Sequence, residues 1–230
     1  MKLRPSAILV IALLTLTTRL VLAAPPGFDV TTTTFADPFR GASALAYAPD
    51  GTLFVVEGTD FISGPNTTSI RVFAPDGTPQ PNFLLTGDVP FISPSGAAVD
   101  LAGNLLVTDN QGDTLYSVNT TTGAKTSFAF SLNDIDDVAV RPGTGEIFVS
   151  DATGGGGGGI YLVDGISDAS PTPVVTGLEF AAGLDFDPDG NLIYQNAYFA
   201  SGFLTEGEVF RLNITETGSG LSFGASELLA

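Results

Sequence analysis

Four segments of this chain carry the same hairpin. SALAYAPDGTLFVVEG (43–58), GAAVDLAGNLLVTDN (96–110), DVAVRPGTGEIFVSD (137–151) and GLDFDPDGNLIYQNA (183–197) each hold an alternating strand, a turn with a glycine and a second strand rich in β-branched and aromatic residues. The turn glycines, Gly51, Gly103, Gly145 and Gly190, recur at intervals of about 42–52 residues. Asp50-Gly51 and Asp189-Gly190 read as two-residue hairpin turns, where glycine supplies the positive φ. A third strand follows each pair, at 69–73, 114–118, 159–163 and 208–212, and a weaker fourth at 82–85, 125–130, 173–176 and 221–229. Four antiparallel strands repeated every 45 residues or so are the period of a propeller blade. A β-sandwich would not place the same turn at the same point of each unit. No segment keeps a 3.6-residue apolar period, so almost no helix is expected. The expected fold is an all-β propeller of four-stranded blades, with repeats at approximately 41–86, 95–131, 136–177 and 182–230.

The chain has 230 residues, with 8 Lys plus Arg against 25 Asp plus Glu and a net charge of −17. It lacks His and Cys altogether. That excludes disulfide staples, zinc ribbons, thiol nucleophiles and Ser-His-Asp catalysis. The acidity argues against nucleic acid, which needs clustered Lys and Arg. Residues 1–24 open with Lys2 and Arg4, continue through an apolar run from Ala7 to Leu16 and reach small residues at Ala23 and Ala24. This is the layout of a cleaved secretory signal. Thr15, Thr17, Thr18 and Arg19 interrupt the run before it reaches spanning length, so no stable membrane span is expected after cleavage. Residues 25–230 then form the propeller, secreted, periplasmic or at the cell surface.

The run GAAVDLAGNLLVTDNQGDTLYSVNTTTG (96–123) resembles an NHL-type repeat. The PDG turns at 49–51, 75–77 and 188–190 suit the wider group of six-bladed, TolB-like propellers that includes gluconolactonase-like and strictosidine-synthase-like proteins. The resemblance covers roughly residues 40–225 and implies a fold that hosts many unrelated functions. It also implies six blades, about 270 residues at 45 per blade, where four to five are visible here. Residues 28–35 read as a lone outer strand of the kind that completes a last blade. Three readings follow: an open or truncated six-bladed type, a compact ring of four or five blades, or a ring completed by another chain.

A propeller's ligand face is built from the loops between second and third strands and from the connections between blades. The residues ending the second strands, Glu57, Asp109, Asp151 and Asn196, form one column, with Asp88, Asp134, Asp136, Asp137 and Glu179 expected on the same rim. Such a ring of oxygens is the donor type Ca²⁺ takes. Solvated loop acids and Asx turns are the more economical reading in so acidic a chain. Gluconolactonase-like proteins hold a divalent metal with a Glu in a G-E-G-P pattern, an Asn in P-N-G and an Asp in D-G-x-A-V. The corresponding column here is Ser43, Ser95, Asp136 and Ala182, of which Asp136 alone matches. A carboxylate pair drawn from Asp134, Asp136 or Asp151 is the remaining acid–base option. Gly154–Gly159 reads as a flexible spacer, and Gln195–Gly207 as a loop presenting aromatic residues. The expected function is a binding or interaction module for an extracytoplasmic protein, glycan or small molecule. A Ca²⁺-assisted hydrolase or lactonase is the competing reading, and a truncated fragment the third.

Overall fold

The computed structural model describes residues 41–58, 69–81, 91–130, 132–200 and 203–229. The expected signal (1–24), the lone outer strand (28–35), the fourth strand at 82–85 and Asp88 lie outside the described residues. The chain forms four antiparallel meanders within the unit Pro38–Ala230. Blade 1 holds β1 (Ala42–Tyr47), β2 (Leu53–Glu57) and β3 (Ser69–Phe73); blade 2 holds β4 (Pro94–Val99), β5 (Leu105–Asp109), β6 (Thr114–Val118) and β7 (Lys125–Ser127). Blade 3 holds β8 (Ile135–Val140), β9 (Ile147–Asp151), β10 (Gly158–Val163) and β11 (Thr172–Leu178). Blade 4 holds β12 (Ala181–Phe186), β13 (Leu192–Ala200), β14 (Phe203–Thr217) and β15 (Gly220–Leu228). This is a propeller of four blades among the described residues. The one helical element there is a single 3₁₀ turn, Asn110–Gly112, and no helix is long and apolar enough to cross a membrane.

The first hairpin turns differ from expectation by one residue. In blade 1 the Gly51 N–H donates to the Ala48 carbonyl (2.9 Å), and the Ala48 N–H to the Thr52 carbonyl (2.8 Å). That is a three-residue loop, a tight turn followed by one left-handed residue, rather than a two-residue turn. Only Gly51 takes positive φ (88°), and Asp50 does not. The aspartate acts instead through its carboxylate, which accepts the Thr52 N–H at 2.9 Å. The glycine run also departs from expectation. Gly158 and Gly159 open β10, and a Cβ on Gly158 would meet the carbonyls of Asp151 and Leu178 at 2.9 and 3.0 Å. The run closes a hairpin tightly instead of spacing it.

The second strands explain why the blades stack. β2 and β5 are buried at every position, and β5 has a neighbouring blade on both faces. Phe54 and Val56 pack against Leu105 and Val107 of blade 2. One residue along β5, Leu106 turns the other way, joining Val138 and Val149 of blade 3. In β9, Val149 serves that seam and Phe148 the next, against Leu184, Leu192 and Tyr194 of blade 4. Period-two alternation thus divides β5 and β9 between two seams each. Burial of these side chains, about 1.5–3 kcal/mol for each Leu, Ile, Val or Phe, is the main stabilising term. The inner strands pack in the order β1, β4, β8, β12. Among the described residues β12 has no comparable contact with β1.

Polar bonds fix the seams at their ends. Each inner strand slips register at its head, between Ala42 and Ala44, Pro94 and Ala97, Ile135 and Val138, and Ala181 and Leu184. A bulge leaves ladder groups unpaired, and hydroxyls collect them. Thr108 Oγ1 accepts the Gly96 N–H (2.7 Å) and donates to the Asp136 carbonyl of the next blade (2.7 Å). Ser150 Oγ repeats the pattern, accepting the Asp137 N–H (2.9 Å) and donating to the Ala182 carbonyl (2.8 Å). Both residues are fully buried. At the opposite end of the third seam, the buried Arg141 donates from Nε to the Gly190 carbonyl (3.0 Å) and from Nη1 to Glu216 (3.1 Å), with Glu146 at 3.7 Å.

Three substitutions and one control test these fastenings. Thr108→Val keeps the shape but orphans the buried Gly96 N–H, and is expected to lower the unfolding free energy by about 1–3 kcal/mol. Thr126→Val, on an exposed position of β7, is expected to change it by under about 0.5 kcal/mol. Arg141→Ala is expected to cost about 2 kcal/mol, and Glu216→Gln under about 1 because that carboxylate is exposed. Urea denaturation of the four variants measures all of these.

Candidate functional site

The inner strands β1, β4 and β8, with Leu184 and Asp185 of β12, line an open cavity of about 590 Å³. Its walls are mostly small: Ala42, Ala44, Ala46, Ala97, Ala98 and Ala139, with Ser43, Ser95, Gly96 and Asp137 at the strand heads. The small residues have a cause. A Cβ on Gly96 would lie 2.7 Å from the Asp137 Cα and 3.0 Å from the Asp136 carbonyl. Blades 2 and 3 approach this closely only because position 96 carries no side chain.

Of the column Glu57, Asp109, Asp151 and Asn196, the first three end β2, β5 and β9 while Asn196 lies within β13, which runs on to Ala200, and all four are buried rather than solvated. Asp109 accepts the backbone N–H groups of Ile92 and Ser93 (2.8 and 2.7 Å). Asn196 Oδ1 accepts those of Glu179 and Phe180 (2.9 and 3.2 Å). Each brace ties a second strand to the segment that leads into its own blade. The residue after the column supports it, with the N–H groups of Gly58, Asn110, Ala152 and Ala197 donating to the carbonyls of Gly41, Ser93, Asp134 and Phe180. Glu57 accepts Ser69 Oγ (2.5 Å) and faces Arg71 at 4.0 Å. Asp151 accepts Thr153 N–H (2.9 Å) and Thr153 Oγ1 (2.5 Å). In blade 3 the bracing role passes to Asp113 of blade 2, which accepts the Asp134 N–H (3.0 Å). Asp134 itself is left-handed (φ 61°), and its carboxylate accepts Asn110 Nδ2 at 2.6 Å.

The rest of the rim is similarly engaged. Ser43 Oγ donates to the Val56 carbonyl (3.2 Å), and Ser95 Oγ to the Asp136 carbonyl (2.5 Å). Asp137 accepts the Leu184 N–H of blade 4 (2.8 Å) and the Val138 N–H (2.8 Å). Burial pushes its carboxyl up and Asp185 adds to this, while those two N–H groups oppose both. Tyr198, expected in an exposed loop, stands on β13, donating to Glu208 (2.5 Å) and accepting Asn196 Nδ2 (2.9 Å). Its segment is a β13–β14 hairpin.

Asp136 differs from its neighbours. Its carbonyl is used by Thr108 and Ser95, but its carboxylate has no hydrogen bond to protein among the described residues. Burial, and then the charges of Asp137 and Asp134, push its carboxyl up to about 6. It is an acid that exchanges its proton near neutral pH. Among the described residues no three acidic side chains converge in a way that could hold a metal ion. Sequence reasoning missed Thr108, Ser150 and Gly96. The signal available was a hydroxyl inside an otherwise apolar strand, LLVTD and IFVSD.

No protein-family model matches the chain, and no curated protein does either. Solved structures do. A structural-genomics target described as of gluconolactonase type shares 22% identity at a TM-score of 0.52, over 77% of this chain and 62% of that one. A gluconolactonase from Xanthomonas campestris shares 17% identity at 0.58, over 85% and 64%. An auxiliary nutrient-binding protein from Bacteroides ovatus shares 13% identity at 0.58, over 84% and 42%. The chain spans less than two thirds of each. The likeness establishes the fold: this is a β-propeller whose structural neighbours include gluconolactonase-like proteins.

Proposed function

We propose that the protein is a binding module, working outside the cytoplasm, that takes a small polar molecule, a glycan or a segment of another protein at the head of its central cavity. One observation carries this reading. The cavity has the volume of a ligand site, while Asp109 and Asp137 are spent holding backbone N–H groups and leave Asp136 without a carboxylate partner for a metal. The apolar run in residues 1–24 supports export. Resemblance to a nutrient-binding protein as well as to gluconolactonases suits a fold used for both purposes.

The test is a thermal-shift screen of monosaccharides, sugar acids and lactones, with Ca²⁺ and with chelator. Hits are expected to raise Tm in the parent and to lose the effect in Ala97→Phe, which fills the cavity. Ca²⁺ is expected to leave Tm unchanged. A strong Ca²⁺-dependent rise abolished by Asp136→Ala, together with lactone turnover, would overturn the reading in favour of a Ca²⁺-assisted hydrolase.

Asp136 is the observation that favours this second reading, with a lactone hydrolase using its carboxyl as proton donor and acceptor. Its titration has a stability signature either way. Between about pH 4 and pH 6 the folded chain holds a proton that the unfolded chain has released, so rising pH destabilises the fold through this group. Asp136→Asn is therefore expected to exceed the parent in stability by up to about 3 kcal/mol above pH 7. The difference is expected to vanish below about pH 4. Denaturation of both proteins across pH 3.5–8 measures it.

A further inference from the structure

The three seams are closed differently at the end away from the strand heads. The residue after each inner strand holds the same backbone position: the N–H groups of Ala48, Asp100, Arg141 and Asp187 donate to the carbonyls of Thr52, Asn104, Glu146 and Asn191. Across each seam lies the turn glycine of the next blade. At the third seam the Arg141 guanidinium covers Gly190, with its Nε 3.3 Å from where a Cβ would stand. At the second, Leu101 covers Gly145, with Cδ1 2.6 Å from the same point. At the first, the corresponding residue is only Ala48, and among the described residues nothing lies within 4 Å of the point above Gly103. The result is a cleft of about 420 Å³ with Phe54 and Val72 among its walls and Asp50, Thr52 and Thr120 around it.

The polar groups there suit the side chain that fills the third seam. Arg141 donates to the Gly190 carbonyl and faces Glu146. In the first seam Gly103 stands in the place of Gly190 and Thr52 in that of Glu146, with the Asp50 carboxylate on the same turn. The Gly103 carbonyl accepts Thr120 Oγ1 at 2.7 Å, which leaves a second lone pair. Asp50 takes the Thr52 N–H on Oδ1, and a carboxylate has acceptor capacity beyond that. Apolar walls suit the stem of a long cationic side chain, and a net charge of −17 attracts its head.

We propose that the cleft between blades 1 and 2 is a docking site for an arginine side chain of a partner polypeptide, which seats over Gly103 as Arg141 seats over Gly190. A peptide-borne arginine fits better than the free amino acid, whose charged α-ammonium and α-carboxylate would have to be brought against apolar walls. The site lies apart from Asp136, so its test is independent of the proposed function.

The experiment is an NMR titration of the full chain with N-acetyl-arginine methylamide, with free arginine and the leucine and lysine methylamides run alongside. Saturable shifts are expected at Ala48, Asp50, Gly103 and Thr120, stronger for the arginine amide than for the other three probes. Asp50→Asn is expected to weaken binding about tenfold, as loss of a charge-assisted bond does. Ala48→Arg is expected to fill the cleft, raising Tm and abolishing the shifts. A fold check by Tm separates lost binding from lost structure, and Ala48→Thr, which only narrows the cleft, provides a second variant. Absence of saturable shifts at these residues, equal binding of the leucine amide, or tighter binding of free arginine would each overturn the proposal.

Discussion

A sheet that is apolar on both faces cannot stand in water, and every other feature here follows from that. The buried strands β5 and β9 alternate their side chains between two seams, so the blades that hold them need a neighbour on either side. Stacking brings the inner strands together. Their heads crowd, and crowding is relieved by the register slips and by the missing side chain at Gly96. The slips expose backbone groups in a dry seam, where each unpaired group costs about 1–3 kcal/mol. Thr108 and Ser150 supply the partners. The polar residues of the interior are thus consequences of apolar stacking.

The same logic sorts the acids. The acids buried in this frame meet N–H or hydroxyl donors, as Asp109, Asp137 and Glu57 do. Their carboxylates act as fasteners. Asp136 has burial and two like charges with no donor to offset them, so its proton affinity rises. Its lack of a donor separates Asp136 from the other buried acids.

Much of the fold is legible in the chain because its signals are local. Alternation in SALAY and LFVVE, and a glycine at each corner, place the first two strands of each blade within a residue or two. The turns were less legible. Asp50-Gly51 was consistent with a two-residue loop, and the third residue emerges only from the bond between Ala48 and Thr52. The hairpin at 195–207 reads as a loop because Gly202 and Gly207 interrupt its pattern, yet β13 and β14 stay paired through it. The column Glu57, Asp109, Asp151 and Asn196 was found by spacing, but its burial was not. Burial depends on the segment of chain folded over each member, which spacing does not record.

The amino-acid sequence by itself determined the repeat, the strand order within each blade and the choice of acid-base chemistry, since a chain without His or Cys has only carboxyl, hydroxyl and amine groups to work with. Those are properties of neighbours along the chain. The tertiary structure alone decided which carboxylate keeps a proton, which hydroxyl spans a seam and which seam stays open over its glycine. Each of these depends on groups dozens of residues apart, brought within 3–4 Å by the stacking of one blade on the next.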